Sequence, residues 1–90
     1  MNKKRIIKAK WAVRMKRTDV ESISIASIGY EPEPRKLEIE FRQSGDVYLY
    51  SEVPVEEYEA FMAADSKGTY FNKVFKPKGY DYVVVSRGRR

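Results

Sequence analysis

Residues 36–42, Lys-Leu-Glu-Ile-Glu-Phe-Arg, alternate strictly between apolar and charged side chains, and Gln43-Ser-Gly-Asp46 turns the chain directly after them. A two-residue period belongs to a strand that buries one face, here with Leu37, Ile39 and Phe41 inward and Lys36, Glu38, Glu40 and Arg42 outward. The turn residues then return the chain as a second strand from Val47 to Val53, so an antiparallel hairpin anchors the fold. The loop length decides what Tyr48-Leu49-Tyr50 does, because a one-residue slip exchanges the two faces of a strand. A two-residue Ser44-Gly45 loop pairs Phe41 with Tyr48 and Ile39 with Tyr50, and both tyrosines join the aliphatic face. A three-residue loop ending at Asp46 pairs Phe41 with Leu49 and turns the tyrosines outward. The sequence admits both.

Three more strands are expected around this hairpin. Residues 8–16 place Ala9, Trp11, Val13 and Met15 on one parity and mostly basic residues on the other. Residues 22–30 are rich in Ile23, Ile25, Ile28 and Tyr30, and Glu31-Pro-Glu-Pro34 then forces a loop at 31–35. Residues 80–85 read as the last strand. Between the hairpin and that strand, Pro54 opens a helix near 54–64, with Val55, Tyr58, Phe61 and Met62 on one face and Glu56, Glu57 and Glu59 pointing elsewhere near its positive end. Gly68 reads as a left-handed stop, Thr69 as the cap of a second helix near 69–75, and Phe71, Val74 and Phe75 as its buried face. The expected fold is α+β: a small antiparallel sheet of five strands covered by two helices.

Ninety residues suffice for one such domain. The chain contains neither cysteine nor histidine, which removes disulfides, thiolate and imidazole metal sites, Cys-His and Ser-His nucleophile pairs and a histidine acid or base. Glu38 with Glu40, and Glu56, Glu57 and Glu59, read as surface acids rather than as a paired-carboxylate site. No enzymatic activity, metal or cofactor is therefore expected. No run of about 18 apolar residues exists to span a bilayer, and the basic start lacks the apolar stretch of a signal peptide, so a cytoplasmic location without membrane contact is the expectation.

The net charge of +5 is unevenly placed. Residues 1–18 hold eight bases and no acid, residues 19–65 three bases against twelve acids, and residues 66–90 seven bases against Asp81. The blocks thus carry +8, −9 and +6. Fields from clustered charges reach only about 8 Å in physiological salt, so the ends and the middle can face different partners. Contact with RNA or another polyanion is a matter for the basic ends, and a basic protein partner for the middle. Solvated tails are the plain alternative.

In order along the chain, Ser27-Ile-Gly-Tyr30, Leu37-Glu-Ile-Glu-Phe41, Gly45, Tyr48-Leu-Tyr50, Val53-Pro54, Tyr58, Ser66-Lys-Gly68, Tyr70-Phe-Asn72 and Tyr80 resemble the KTSC domain, a small module found at the C-terminus of some lysyl-tRNA synthetases and alone in short bacterial and phage proteins. The resemblance covers residues 15 to about 82. It implies a basic extension at 1–14, a KTSC-like domain at 15–85 and a basic tail at 86–90. Many members begin as Met15-Lys-Arg-Thr does, so residues 1–14 read either as an added arm or as the product of an upstream start. The stretch from Phe41 to Gly45 is one residue longer than the family pattern, which suggests a bulge or a three-residue loop. The resemblance implies no activity beyond the RNA binding suggested for the family.

Three sets of candidate binding residues emerge. Ser66, Lys67, Gly68, Thr69, Tyr70, Asn72, Lys73 and Lys76 combine a glycine turn, a helix start and several lysines, a setting for phosphate, against the alternative of a plain interhelical turn. Tyr48 and Tyr50, if outward, stand two residues apart on a strand, as base-stacking rings do, although Asp46 and Glu52 oppose a phosphate backbone alongside; inward, they are core packers. Trp11 with Lys8, Lys10 and Arg14 is a second stacking candidate, or else an apolar anchor for the arm. The leading reading is a non-catalytic module that binds RNA or another nucleic acid through its basic ends and residues 66–76. The rivals are a pocket for a small nucleotide, such as a signal sequestered by a phage protein, and a protein-interaction module.

Overall fold

The computed structural model describes residues 16–88. The expected strand at 8–16 lies outside them except for Lys16. The strands are β1 (Arg17–Asp19), β2 (Ile25–Glu31), β3 (Lys36–Phe41), β4 (Val47–Tyr50) and β5 (Tyr82–Ser86). They form one antiparallel sheet in the order β1-β2-β3-β4-β5. Between β4 and β5 lie α1 (Val55–Ala63), a four-residue helix α2 (Lys67–Tyr70), a π-helical turn (Phe71–Phe75) and a 3-10 turn (Lys76–Lys78). The domain is thus a small five-stranded antiparallel sheet with a couple of short helices, the α+β class that the patterning implied.

The β3–β4 hairpin has neither of the expected loops. Residues 42–45 make a four-residue loop, closed by the Phe41 amide donating to the Asp46 carbonyl at 2.9 Å and the Gly45 amide to the Phe41 carbonyl at 2.7 Å. Leu37 therefore faces Tyr50 and Ile39 faces Tyr48. The register is two residues away from the two-residue alternative, and because two is the strand period the facing is the same. Both tyrosines share the side of Leu37 and Ile39.

Local irregularities explain where other strands depart from the sequence reading. Ile25 and Ile28 are an odd number of residues apart yet both fully buried, because the β2–β3 register shifts between Ile25 and Ser27 and absorbs the extra residue. Ile23 precedes that strand and is 95% exposed, so it is not part of the core. Arg42 ties down this stretch by donating to the carbonyls of Val20, Ser22 and Ile25 at 2.9–3.2 Å. β4 ends at Tyr50 rather than Val53, because Glu52 adopts a left-handed backbone at φ 57°. Tyr82 and Val84, rather than Tyr80, lead β5 into the sheet.

Across the inward side, one row runs Ile28–Ile39–Tyr48–Val84 and the next Tyr30–Leu37–Tyr50–Tyr82. Ile25, Ile28, Leu37, Ile39, Tyr50 and Val53 form one core with Phe61 of α1 and Phe75 of the π-helical turn. On the opposite side Glu38 is 1% exposed, contrary to its reading as a surface acid. Burial pushes its carboxyl above the usual range, and the Arg17 guanidinium, donating at 2.7 Å, offsets only part of that.

The connection between α1 and β5 also differs from expectation. α2 begins at Lys67, two residues early, because Ser66 rather than Thr69 is the cap: its Oγ accepts from the Thr69 amide at 3.2 Å. Gly68 lies inside that helix, and the left-handed glycine is Gly79 at φ 74°, which ends the 3-10 turn. Gly68 instead lacks a Cβ because one would press on Ser24 Oγ. Val74 is exposed, since the wider π-helical turn directs Phe71 and Phe75 inward and leaves Val74 outside. Gly79→Ala should cost about 1–2 kcal/mol, the penalty of a left-handed L-residue, and lower the melting temperature accordingly. Gly68→Ala gains helix propensity of about 1 kcal/mol and needs only a rotation of Ser24 Oγ, so its thermal shift should be smaller. Equal shifts in thermal melts would contradict this assignment of roles.

Candidate functional site

The side chains with the most ligand-like setting surround a half-open cavity of about 510 Å³ at the end of the inward sheet face. β3 contributes Phe41, the hairpin loop Ser44, β4 Tyr48 and Tyr50, the π-helical turn Phe71 and Phe75, and the following segment Lys76, Gly79, Tyr80, Asp81 and Tyr82. The pairing of β4 with β5 sets Tyr82 beside both β4 tyrosines. The Tyr48 and Tyr82 rings stack at 4.8 Å and 18°, and Tyr50 and Tyr82 lie 5.2 Å apart. Phe41 meets Tyr48 and Phe71 edge-on at 5.1 and 5.3 Å. Left-handed Gly79 folds the chain back so that Tyr80 rests on Phe75 at 4.9 Å. π-helical turns are frequent at functional sites, and here the turn supplies two of the cavity's rings.

Cavities of this size, walled by aromatic side chains with a few polar groups, are the usual setting for small planar ligands. Ring faces take flat π-systems through stacking, and the tyrosine hydroxyls and Asp81 add polar edges. Tyr50 forms the floor: it is 5% exposed, and burial drives its hydroxyl well above the ordinary tyrosine pKa. Burial, with Tyr48 beside it, also raises Tyr82. Lys76 is exposed, and its ammonium has no partner among the described residues. It is the cation best placed to meet an anionic group attached to a ring in the cavity.

Behind the cavity, Glu57 of α1 is buried rather than pointing to solvent as read from its spacing. Its carboxylate accepts from Tyr70 Oη at 2.5 Å, Tyr80 Oη at 2.8 Å and Lys78 Nζ at 2.6 Å. Burial alone would raise its pKa, but these three donors prevail and hold it below the usual carboxylate range. Tyr70 is pushed up to about 12 by burial and by that same carboxylate. The cluster fixes Tyr80 in the cavity wall.

The structure separates residues that the sequence reading grouped. Tyr48 and Tyr50 line the cavity, whereas Tyr70 stacks on Phe61 at 5.1 Å and turns its hydroxyl to Glu57. Ser66, Gly68, Thr69 and Asn72 line a different, shallow groove together with Ser22, Ser24, Glu21 and Asp65. Lys67 donates to the Ala64 carbonyl at 2.7 Å, and Ser66 Oγ donates to Thr69 Oγ1 at 2.9 Å. Two carboxylates in the groove and an internally bonded lysine make it a poor phosphate cradle. Lys73 is exposed, and among the described residues Lys76 alone of the expected lysines lines the aromatic cavity. Lys8, Lys10, Trp11 and Arg14 lie outside the described residues. The sequence reading missed Phe41, Phe71, Phe75, Tyr80 and Tyr82 as site residues. The Tyr80-x-Tyr82 alternation at the entry to the last strand was the available signal.

Comparison with known proteins agrees with this fold. The chain is 50% identical over 68 residues to an uncharacterised protein of Stutzerimonas stutzeri, covering 76% of this chain and 94% of that protein. It is 41% identical over 59 residues to a protein of Tsukamurella paurometabola, covering 66% and 87% of the two chains. The crystal structure of a KTSC domain protein from Yersinia pestis matches with a TM-score of 0.74 and 42% identity, over 80% of this chain and 99% of that one. The KTSC domain family model matches residues 21–80, a span that includes the hairpin, both helices and most of the cavity wall, and the chain belongs to the KTSC domain family.

Proposed function

We propose that the domain is a non-catalytic module that binds RNA or another nucleic acid by taking an unstacked base into the aromatic cavity while lysines meet the adjoining phosphates. The cavity itself carries this reading, because it joins stacking faces at Tyr48 and Tyr82 with the exposed ammonium of Lys76. Base stacking on aromatic rings contributes about 1–3 kcal/mol per base, and phosphate contacts supply most of the remaining affinity. The basic blocks at 1–18 and 66–90 are the further source of such contacts. The absence of histidine and cysteine supports a binding rather than a catalytic role. In this reading the helices cover the cavity side of the sheet, and the cytoplasm is the compartment in which the ligand is met. Among the described residues no helix is long and apolar enough to cross a membrane.

A small free nucleotide is the second reading, favoured by a cavity large enough for one base with its sugar. A salt-titrated anisotropy assay with labelled single-stranded RNA and DNA, and mononucleotides as competitors, separates the two. Tyr82→Ala should weaken RNA binding by tenfold or more, and Lys76→Glu should weaken it with a shallower salt slope. Mononucleotides that compete at concentrations near that of the oligonucleotide would move the assignment to the second reading. Parent-like binding by both variants would remove the cavity from the interface and leave the basic blocks at 1–18 and 66–90 as the contact, whereas a parent chain that binds no RNA, DNA or mononucleotide would favour a basic protein partner for the acidic middle of the chain.

A further inference from the structure

The aromatic cavity adjoins a second hollow of about 560 Å³, which is lined by Lys36, Ser51, Glu52 and Lys78 and shares Gly79, Tyr80 and Asp81 with the first. The two differ in chemistry. Rings wall the first, whereas among the described residues the second has two lysines, two carboxylates and a serine hydroxyl and, beyond the shared Tyr80, no ring. Its walls are held by hydrogen bonds of their own. The Ser51 amide donates to the Asp81 carbonyl at 2.9 Å, Lys36 Nζ to Ser51 Oγ at 2.9 Å, and Lys78 Nζ to the buried Glu57 carboxylate at 2.6 Å. Glu52 takes a left-handed backbone at φ 57°, which is uncommon for a residue with a Cβ, and the next amide, that of Val53, donates to the Arg35 carbonyl at 2.9 Å. Backbone strain of this kind clusters at binding sites, where the surrounding structure over-determines it.

We propose that the second hollow is the sugar subsite for the nucleotide whose base enters the aromatic cavity, and that Asp81 and Glu52 accept the ribose 2′-hydroxyl, so that the domain selects RNA over DNA. The inference rests on the nucleic-acid reading and extends it by naming the part of the ligand that is recognised and the residues that recognise it. Lys36 and Lys78 balance Glu52 and Asp81, so the hollow has no net charge to draw in a phosphate. It suits a neutral group that both donates and accepts hydrogen bonds, as a sugar hydroxyl does. The sugar is also the part of a nucleotide bonded directly to the base, so it belongs in the space that borders the base's cavity. The phosphates then lie towards Lys76, which among the described residues lines the aromatic cavity and not the hollow. An ionised carboxylate is acceptor-only with about four lone-pair sites, so Asp81 can take a hydroxyl proton alongside its other contacts. Acidic side chains accept from ribose hydroxyls in dinucleotide sites, and the 2′-hydroxyl is the group by which proteins distinguish RNA from DNA.

The test uses the full chain and three fluorescein-labelled single strands of matched sequence, RNA, DNA and 2′-O-methyl RNA, read by anisotropy at one salt concentration. RNA should bind about tenfold or more tighter than either of the others, the scale of one hydrogen bond to a charged acceptor. The DNA and 2′-O-methyl strands keep bases and phosphates but lack the hydroxyl proton, so the comparison needs no change to the protein. Asp81→Ala with Glu52→Gln should then lower RNA affinity towards that of DNA and bring the ratio of the two near one. That ratio does not depend on how much of the variant is folded. Equal affinities of the parent for all three strands overturn the sugar subsite, as does a double variant that weakens RNA and DNA by the same factor. Tyr82→Ala distinguishes the levels: if it abolishes binding of every strand while the parent shows no preference for RNA, the cavity reading stands and the sugar subsite falls. A parent chain that binds none of the three overturns both.

Discussion

Tyr50→Ala is expected to destabilise the domain by about 3–5 kcal/mol, the range for removing a large buried aromatic side chain. Tyr50 is 5% exposed, stands opposite Leu37 and Tyr82 in the sheet, and packs edge-on against Phe75 at 4.9 Å and 84°. Removing it leaves a hole where β4, β5 and the π-helical turn meet, and the surrounding rings close such a gap only in part. For a domain of this size each kcal/mol is worth about 4–8 °C, and total stability is often only about 5–15 kcal/mol. Urea unfolding should therefore show a midpoint much lower than the parent's. Tyr48 is half-buried and its ring contributes a cavity face, so Tyr48→Ala should lose less stability and more ligand affinity. An unaltered midpoint for Tyr50→Ala would show that the floor of the cavity is not part of the core.

The contrast between neighbouring tyrosines also shows what the sequence could and could not reveal. Strand existence was legible wherever alternation was strict, as at Leu37, Ile39 and Phe41, because the period depends only on local backbone geometry. Loop length was not: a four-residue loop and a two-residue loop give the same facing, and only the hydrogen bonds around Phe41, Gly45 and Asp46 distinguish them. β1 escaped notice because Arg17-Thr18-Asp19 has no apolar face of its own; its pairing with Ser27, Ile28 and Gly29 comes from the partner strand. The buried acids were illegible for a related reason. Glu57 looked like a helix-dipole residue and Glu38 like a solvent-facing one, since the donors that accompany them are far away in sequence. Of the candidate site, Tyr48, Tyr50 and Lys76 were legible as residue types with suitable chemistry. Their grouping with Phe41, Phe71 and Tyr82, and the separation of Ser66–Asn72 chemistry into another groove, depended on the chain reversal at Gly79 and on the β4–β5 pairing.

Glu57 provides the second large effect, and one with a pH signature. Its carboxylate joins α1 to Tyr70, Lys78 and Tyr80, and is 6% exposed. Glu57→Ala removes the acceptor for three donors at once and should cost about 2–4 kcal/mol, less than a fully buried ion pair because Lys78 is half-exposed and can turn to water. Glu57→Gln keeps the shape but not the charge, and so isolates ionisation. The folded pKa lies below the unfolded value of 4.5, so the contribution of the charge is fully present above that pH and is lost as pH falls through the lower folded value. The parent should then melt well above Glu57→Gln at pH 7, and the gap between them should narrow once the pH drops below about 4.5. Glu38 has the opposite sign: its raised folded pKa means that its ionisation removes stability as pH rises above 4.5, and it does so in both chains, so it cancels from the difference. A gap that stays constant from pH 7 to pH 3 would mean that the ionisation of Glu57 contributes no stability. Because Tyr80 is fixed by Glu57 and lines the cavity, Glu57→Gln should also weaken RNA binding at pH 7 even at temperatures where the variant is fully folded. That loss joins the buried carboxylate to the proposed ligand site.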